Sequence, residues 1–108
     1  MKNSANKFDI GMKFDAGKPD WSLLPMECIE EVVNILGFGK EKYGRDNWKL
    51  LNSKEDLNRI YSAMMRHIVA HSKGDKIDKE SGQLHLSHAA CNIIFLIYNE
   101  LINRNEQH

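Results

Sequence analysis

A chain of 108 residues is enough for one domain, but it leaves a large share of its surface to cover, so pairing with a second copy would add to its core. Lysine plus arginine equals aspartate plus glutamate at 15 each, for a formal charge of zero. That balance excludes a binder of nucleic-acid polymers or membrane surfaces that works by bulk charge, and any anionic ligand must be small and locally held.

The N-terminus has no apolar signal core, and no window approaches about 18 uncharged apolar residues, so the expected setting is the cytoplasm. Cys28 and Cys91 sit in apolar surroundings without CxxC spacing, which predicts buried free thiols rather than a disulfide. The whole chain, 1–108, reads as one domain, with 1–12 polar and loose and 103–108 a fraying tail.

Phe14, Asp15, Gly17, Lys18, Pro19, Trp21 and Pro25 make an irregular segment, because Gly17 and the step into Pro19 disfavour helix. Either Phe14, Trp21 and Leu24 pack as an arm on the helices, or the loop brings Asp15, Lys18 and Trp21 to a ligand with a charge for phosphate and an aromatic face for a base. From Pro25 to about Leu36, Ile29, Val32, Val33 and Leu36 repeat at helical spacing. Glu27, Glu30, Glu31 and Asn34 lie opposite, as a solvated face or as carboxylates for a hard cation.

Residues 37–51 place Tyr43 and Trp48 among Lys40, Lys42, Arg45 and Lys49, with Gly44, Asp46 and Asn47 ending the helix. Such a stretch can stack a base and neutralise phosphate, or simply wrap a helix end. Ser53 with Asp56 forms a capping box that opens a helix to about Lys73, closed by Gly74. Leu57, Ile60, Tyr61, Met64, Met65 and Ile68 are its predicted core stripe. His67 and His71 project at or beside that stripe, and Arg59, Arg66 and Lys73 share another face.

Asp78 and Glu80 precede the last and most apolar helix, predicted from Gly82 to Ile102, and Ser81 or Glu80 is placed to cap it. His85, His88, Asn92 and Asn99 fall within about 60° of one another on that helix, and apolar residues cover the rest of its circumference. A buried polar line of this kind needs partners, metal, water or substrate.

Four stretches carry a resemblance: KFDAGKPDWSLLP at 13–25, FGKEKYGRDNW at 38–48, RHIVAH at 66–71 and DKESGQLHLSHAACNIIFL at 78–96. Together they resemble the phage and bacterial dATP/dGTP diphosphohydrolase family, a branch of the MazG-like all-α nucleotide pyrophosphohydrolases. The resemblance implies an all-α bundle of three main helices completed by homo-oligomer packing, as a dimer or tetramer. It also implies an Mg²⁺-dependent enzyme, with Mn²⁺ able to substitute, that cleaves a purine deoxynucleoside triphosphate to the monophosphate and pyrophosphate in the host cytoplasm.

MazG-like proteins hold metal through an EExxE run and an ExxD pair. Here Glu30 and Glu31 keep part of the first, whereas His85 and His88 stand where the second is expected. Glu31, Asp78 and Glu80 are then the expected metal ligands, and His67 and His88 the candidates to orient or deprotonate the attacking water. Lys18, Lys42 and Arg66 are assigned to phosphate oxygens and Trp21 or Trp48 to the purine, while Asp15, Tyr43, Asn47, His85 and Asn92 complete the substrate-binding set. The absence of a GxxxxGK[ST] loop excludes a P-loop enzyme. Two other classes fit the residues: a purine nucleotide sensor without turnover, and a transition-metal protein using His67, His71, His85 and His88.

Overall fold

The computed structural model describes residues 17–106. Its elements are a 3₁₀ turn Trp21–Leu23, helix α1 (Met26–Tyr43), a second 3₁₀ turn Asn47–Leu50, helix α2 (Lys54–Ser72) and helix α3 (His85–Glu106). Among the described residues the one β feature is an isolated antiparallel bridge between Ile77 and Leu84. The fold is all-α, as expected. No described helix is long and apolar enough to cross a membrane.

Local chemistry sets the boundaries. Pro25 stands at the N-cap of α1 and Gly44 at its C-cap. Both halves of the predicted capping box open α2: the Ser53 hydroxyl accepts from the Asp56 amide at 3.0 Å, and the Asp56 carboxylate accepts from the Ser53 amide at 3.3 Å. Beyond α2, Gly74 takes a φ of +94°, which a side chain would resist, and the Asp75 amide turns back to the Ala70 carbonyl at 3.0 Å. Helix α3 begins at His85 rather than Gly82 and continues to Glu106, past the expected end at Ile102. The late start has a local cause: Gly82 has a φ of +73°, and Asp78 and Gln83 are joined by a 2.8 Å backbone hydrogen bond, so 78–84 is a folded loop and not a first helical turn.

Helix α3 packs against both α1 and α2 and against the second 3₁₀ turn. Val32 and Ile35 of α1 meet Cys91 of α3 in the core, with Leu36, Ala90 and Phe95 around them. The α1 stripe therefore runs through Val32, Ile35 and Leu36, while Val33, expected inside, is exposed. Ile60 is the buried residue of α2. Trp48 stacks on Phe95 with ring centroids 4.6 Å apart and meets Tyr98 edge-on at 5.0 Å, fastening the 3₁₀ turn to α3.

Three other expectations about burial are corrected. Tyr61, Met65 and Ile68 of the α2 stripe are exposed, as are Leu86, Ile93, Ile94, Ile97 and Leu101 of α3, because two neighbouring helices cannot surround a third that is apolar on nearly every side. Trp21 is 74% exposed and Leu24 also lies open, so this end of the arm does not pack on the bundle; Phe14 lies outside the described residues. Both thiols are free, but Cys28 faces outward. Burial of Cys91 pushes its thiol up to about 11, which makes it a packing residue and not a nucleophile.

Ile60→Ala removes the buried anchor of α2 and is expected to lower unfolding free energy by about 2–5 kcal/mol in urea titration. Ser53→Ala, which loses the cap alone, should cost about 1 kcal/mol.

Candidate active site

The loop between α2 and α3 is built around one carboxylate. Asp78 Oδ2 accepts from the Ser81 amide at 3.0 Å and from the Ser81 hydroxyl at 2.8 Å, and the Gly82 amide donates to the Asp78 carbonyl at 2.8 Å. The His85 amide donates to the Lys76 carbonyl at 2.9 Å, so the loop returns the chain to where it left α2. This is a side chain and a backbone closing a turn on each other, a habit of aspartate and serine.

That return brings three imidazoles together. His67 of α2 lies against His88 of α3 with ring centroids 4.6 Å apart and planes 8° from parallel. The Nδ1 atoms of His67 and His85 stand 2.9 Å apart, so in the neutral pair one carries a proton and the other accepts it. His88 Nε2 is 2.6 Å from the Ser81 hydroxyl and 3.5 Å from Asp78 Oδ2. Ser81 has one proton to give, and Asp78 is the stronger acceptor, so His88 donates from Nε2 into Ser81, which donates on to Asp78. This relay leaves Nδ1 as the basic atom of His88. His85 Nε2 is buried and has no hydrogen-bond partner: Asp75 Oδ2 comes within 3.3 Å, but not at a hydrogen-bonding angle.

The expected residues divide into those that meet here and those that do not. His67, His85, His88 and Asp78 meet, and half-buried Asn92 follows His88 by one turn of α3. Glu80 is exposed and pairs with Lys42, whose Nζ also lies 5.2 Å from the centre of the Tyr43 ring. Glu31, on α1, accepts at 3.4 Å from Ser87, a buried hydroxyl of α3. Glu31, Asp78 and Glu80 are therefore not gathered into one carboxylate site. Among the described residues the one group of metal-ligating side chains with converging donor atoms is His67, Asp78 and His85. His71, a turn further along α2, is outside it.

Arg66 hydrogen-bonds Ser62 on its own helix at 2.9 Å. Trp48 gives one face to Phe95, and Lys18, Trp21, Tyr43 and Asn47 are exposed. Asp15 lies outside the described residues. Ser81 and Asp75 were not read as site residues from the sequence, since helix periodicity says nothing of a loop; the signal for Ser81 was its place between a carboxylate three residues before it and a histidine seven after.

The family model described as dATP/dGTP diphosphohydrolase, N-terminal, matches residues 9–108. The chain belongs to this family. A Salmonella phage PMBT28 protein named dATP/dGTP diphosphohydrolase is 38% identical over 88 residues, a match that covers 82% of this chain and 29% of that relative. The chain thus spans less than a third of the relative's length. No solved structure matches it at a significant level. Within this dATP/dGTP diphosphohydrolase-family domain, the described structure puts the third and fourth resembling stretches face to face.

Burial holds His67 below the ordinary histidine value, helped by the neighbouring His88 and His85 rings and Arg66, and opposed by Asp78. Burial also lowers His88, with His85 adding to it and Asp78 and Glu80 opposing. Burial alone would raise Asp78, but the two hydrogen bonds from Ser81, together with the neighbouring His88 and His67, outweigh it and bring the carboxyl below its usual value of 3.8. As pH falls, the unfolded chain takes up protons at its histidines before the folded one does. Stability from both rings is therefore full above the ordinary histidine value of 6.5 and declines as pH drops from 6.5 toward the lowered folded values. The Asp78 contribution persists until pH falls below 3.8. Urea midpoints of chelator-treated protein should fall between about pH 7 and 5, and His88→Asn should flatten that slope.

Proposed function

We propose that this domain is a nucleoside triphosphate pyrophosphohydrolase that cleaves dATP or dGTP between the α- and β-phosphates, giving the monophosphate and pyrophosphate. The observation that carries the reading is the stacked His67–His88 pair, held by the Ser81–Asp78 relay, in a chain of the dATP/dGTP diphosphohydrolase family. Phosphoanhydride hydrolysis needs a placed water and neutralised phosphate charge, and little covalent work from the protein. His88 Nδ1 is the base that takes a proton from the water, and His67 stacked on it fixes the ring plane. Lys42 reaches the triphosphate by exchanging Glu80 for it. The hydrogen bond that Lys42 donates to Glu80, and after it the one with Tyr43, raises the Lys42 ammonium above 10.5, so it stays cationic. Lys18 and Arg66 add positive charge, and Trp21 offers an uncovered ring for the purine.

Magnesium, or Mn²⁺ in its place, comes with the triphosphate as part of the substrate, because Glu31, Asp78 and Glu80 do not gather to hold a resident Mg²⁺. We place the protein in the cytoplasm, with no nucleic-acid polymer or membrane as partner. A second copy of the chain, in a dimer or tetramer, is the proposed cover for Ile93, Ile97 and Leu101 on α3 and Tyr61 and Met65 on α2. Light scattering at micromolar concentration should give at least twice the chain mass; a monodisperse monomer would remove the oligomer from the account.

A second reading, a nucleotide-binding module without turnover, is favoured by the match covering 29% of the relative. Incubation with dATP or dGTP and Mg²⁺ separates them: pyrophosphate release is the expected outcome, and binding without product supports the module. His88→Asn keeps a hydrogen-bonding group and loses the base, so kcat should drop by roughly 10²- to 10⁴-fold with the fold retained. Unchanged turnover with an earlier melt would make His88 structural.

A further inference from the structure

We infer that His67, Asp78 and His85 form a binding site for a borderline transition-metal ion of the Zn²⁺ class, and not for Mg²⁺. This deepens the reading of the candidate active site, but ion binding is measured without nucleotide, so it stands or fails apart from turnover.

Geometry is the first support. One donor atom from each of the three residues lies within 4.8 Å of the other two, and the residues come from α2, the loop and the first position of α3. The two Nδ1 atoms are 2.9 Å apart. Metal–nitrogen bonds of about 2.0–2.1 Å set neighbouring donors roughly 2.9–3.4 Å apart, so the two rings already have the spacing of adjacent ligands. Asp78, on the loop, already holds a carboxylate oxygen within 4.8 Å of both donor nitrogens.

The second support is His85 Nε2, buried without a hydrogen-bond partner, and Asp75 Oδ2 3.3 Å from it. Ligation through Nδ1 fixes the His85 proton on Nε2, and a small turn of the exposed Asp75 side chain would bring its carboxylate, 3.3 Å away, into line with that proton. A carboxylate behind a ligating imidazole orients the ring and raises its basicity. In the ion-free pair the shared proton can sit on either Nδ1, so the His85 proton is on Nε2 in only one of the two tautomers; ligation leaves that tautomer alone.

Donor chemistry decides the class of ion. Two imidazoles and one carboxylate suit Zn²⁺, Co²⁺, Ni²⁺ or Fe²⁺, whereas Mg²⁺ demands oxygen donors in a near-octahedral shell. The carboxylates that would suit Mg²⁺ are engaged elsewhere, Glu80 with Lys42 and Glu31 with Ser87.

Untagged full-length protein, stripped with chelator and dialysed, should be titrated calorimetrically with Zn²⁺, Co²⁺ and Mg²⁺ separately, and the visible spectrum recorded with Co²⁺. One Zn²⁺ per chain is expected, bound roughly a hundredfold or more tighter than Mg²⁺, with a Co²⁺ absorption band. His85→Ala and Asp78→Asn should each weaken Zn²⁺ by at least about tenfold, and His71→Ala, outside the group, should leave it unchanged. Should His85→Ala fail to fold by circular dichroism, Asp78→Asn carries the test, since its amide oxygen still accepts from Ser81. Mg²⁺ binding as tightly as Zn²⁺, Zn²⁺ binding undiminished in Asp78→Asn, or an equal loss in His71→Ala would each overturn the assignment.

Discussion

Burying polar groups on the most apolar helix is the constraint from which the rest of this structure follows. A buried donor or acceptor left without a partner costs about 1–3 kcal/mol, and α3 carries His85, Ser87 and Asn99 as buried groups and half-buried His88 beside them. Each draws on a different part of the chain. Ser87 donates to Glu31 of α1, His85 meets His67 of α2, His88 meets Ser81 of the loop, and Asn99 accepts from Asn103 one turn along at 3.1 Å. The apolar contacts of Val32 and Ile35 with Cys91, and of Trp48 with Phe95, bring the elements to α3. The polar contacts fix how they sit there, because a hydrogen bond has direction and a methyl contact does not.

The same arrangement makes the site depend on tertiary structure. No two of His67, Asp78 and His85 lie on one helix, so the cluster exists only while the loop is folded and α2 is docked. Gly82 at φ +73° and the Asp78 turn bring Ser81 within reach of His88, and the hydrogen bond from His85 to Lys76 sets the first residue of α3 opposite His67. Stability and chemistry are coupled through these few residues. A substitution in the loop is felt at the imidazoles before it is felt in the α1–α3 core.

Much of this was legible in the residues. Helical periodicity located three helices, the Ser53 and Asp56 pair marked the start of α2, and the polar line of α3 was visible as a line. What escaped depends on quantities that a single helix does not encode. The stacking of His67 on His88 follows from the rotation of α2 relative to α3, which sequence spacing leaves free. Sequence places the start of α3 three residues early, because Glu80 or Ser81 looks like a cap for a helix opening at Gly82, whereas Gly82 takes a φ of +73° inside a folded loop. The family's ligand pattern and their place along the chain group Glu31, Asp78 and Glu80, but neither says which carboxylate will find Ser87, Ser81 or Lys42 first. Apolar residues such as Ile93 and Ile97 were read as buried because composition does not distinguish a surface covered by the chain itself from one open to another molecule.

If α3 is the surface on which the other elements are assembled, its central amides open only when the whole domain unfolds. Native-state hydrogen exchange of the metal-free protein measures this residue by residue. The amides from Ala89 to Phe95 should exchange with the free energy of global unfolding found by urea, and those of the loop before His85 and of the second 3₁₀ turn should exchange at lower free energies. Fast, local exchange within 89–95 while α2 stays protected would contradict the account, since α2 would then be stable without the helix assigned to support it.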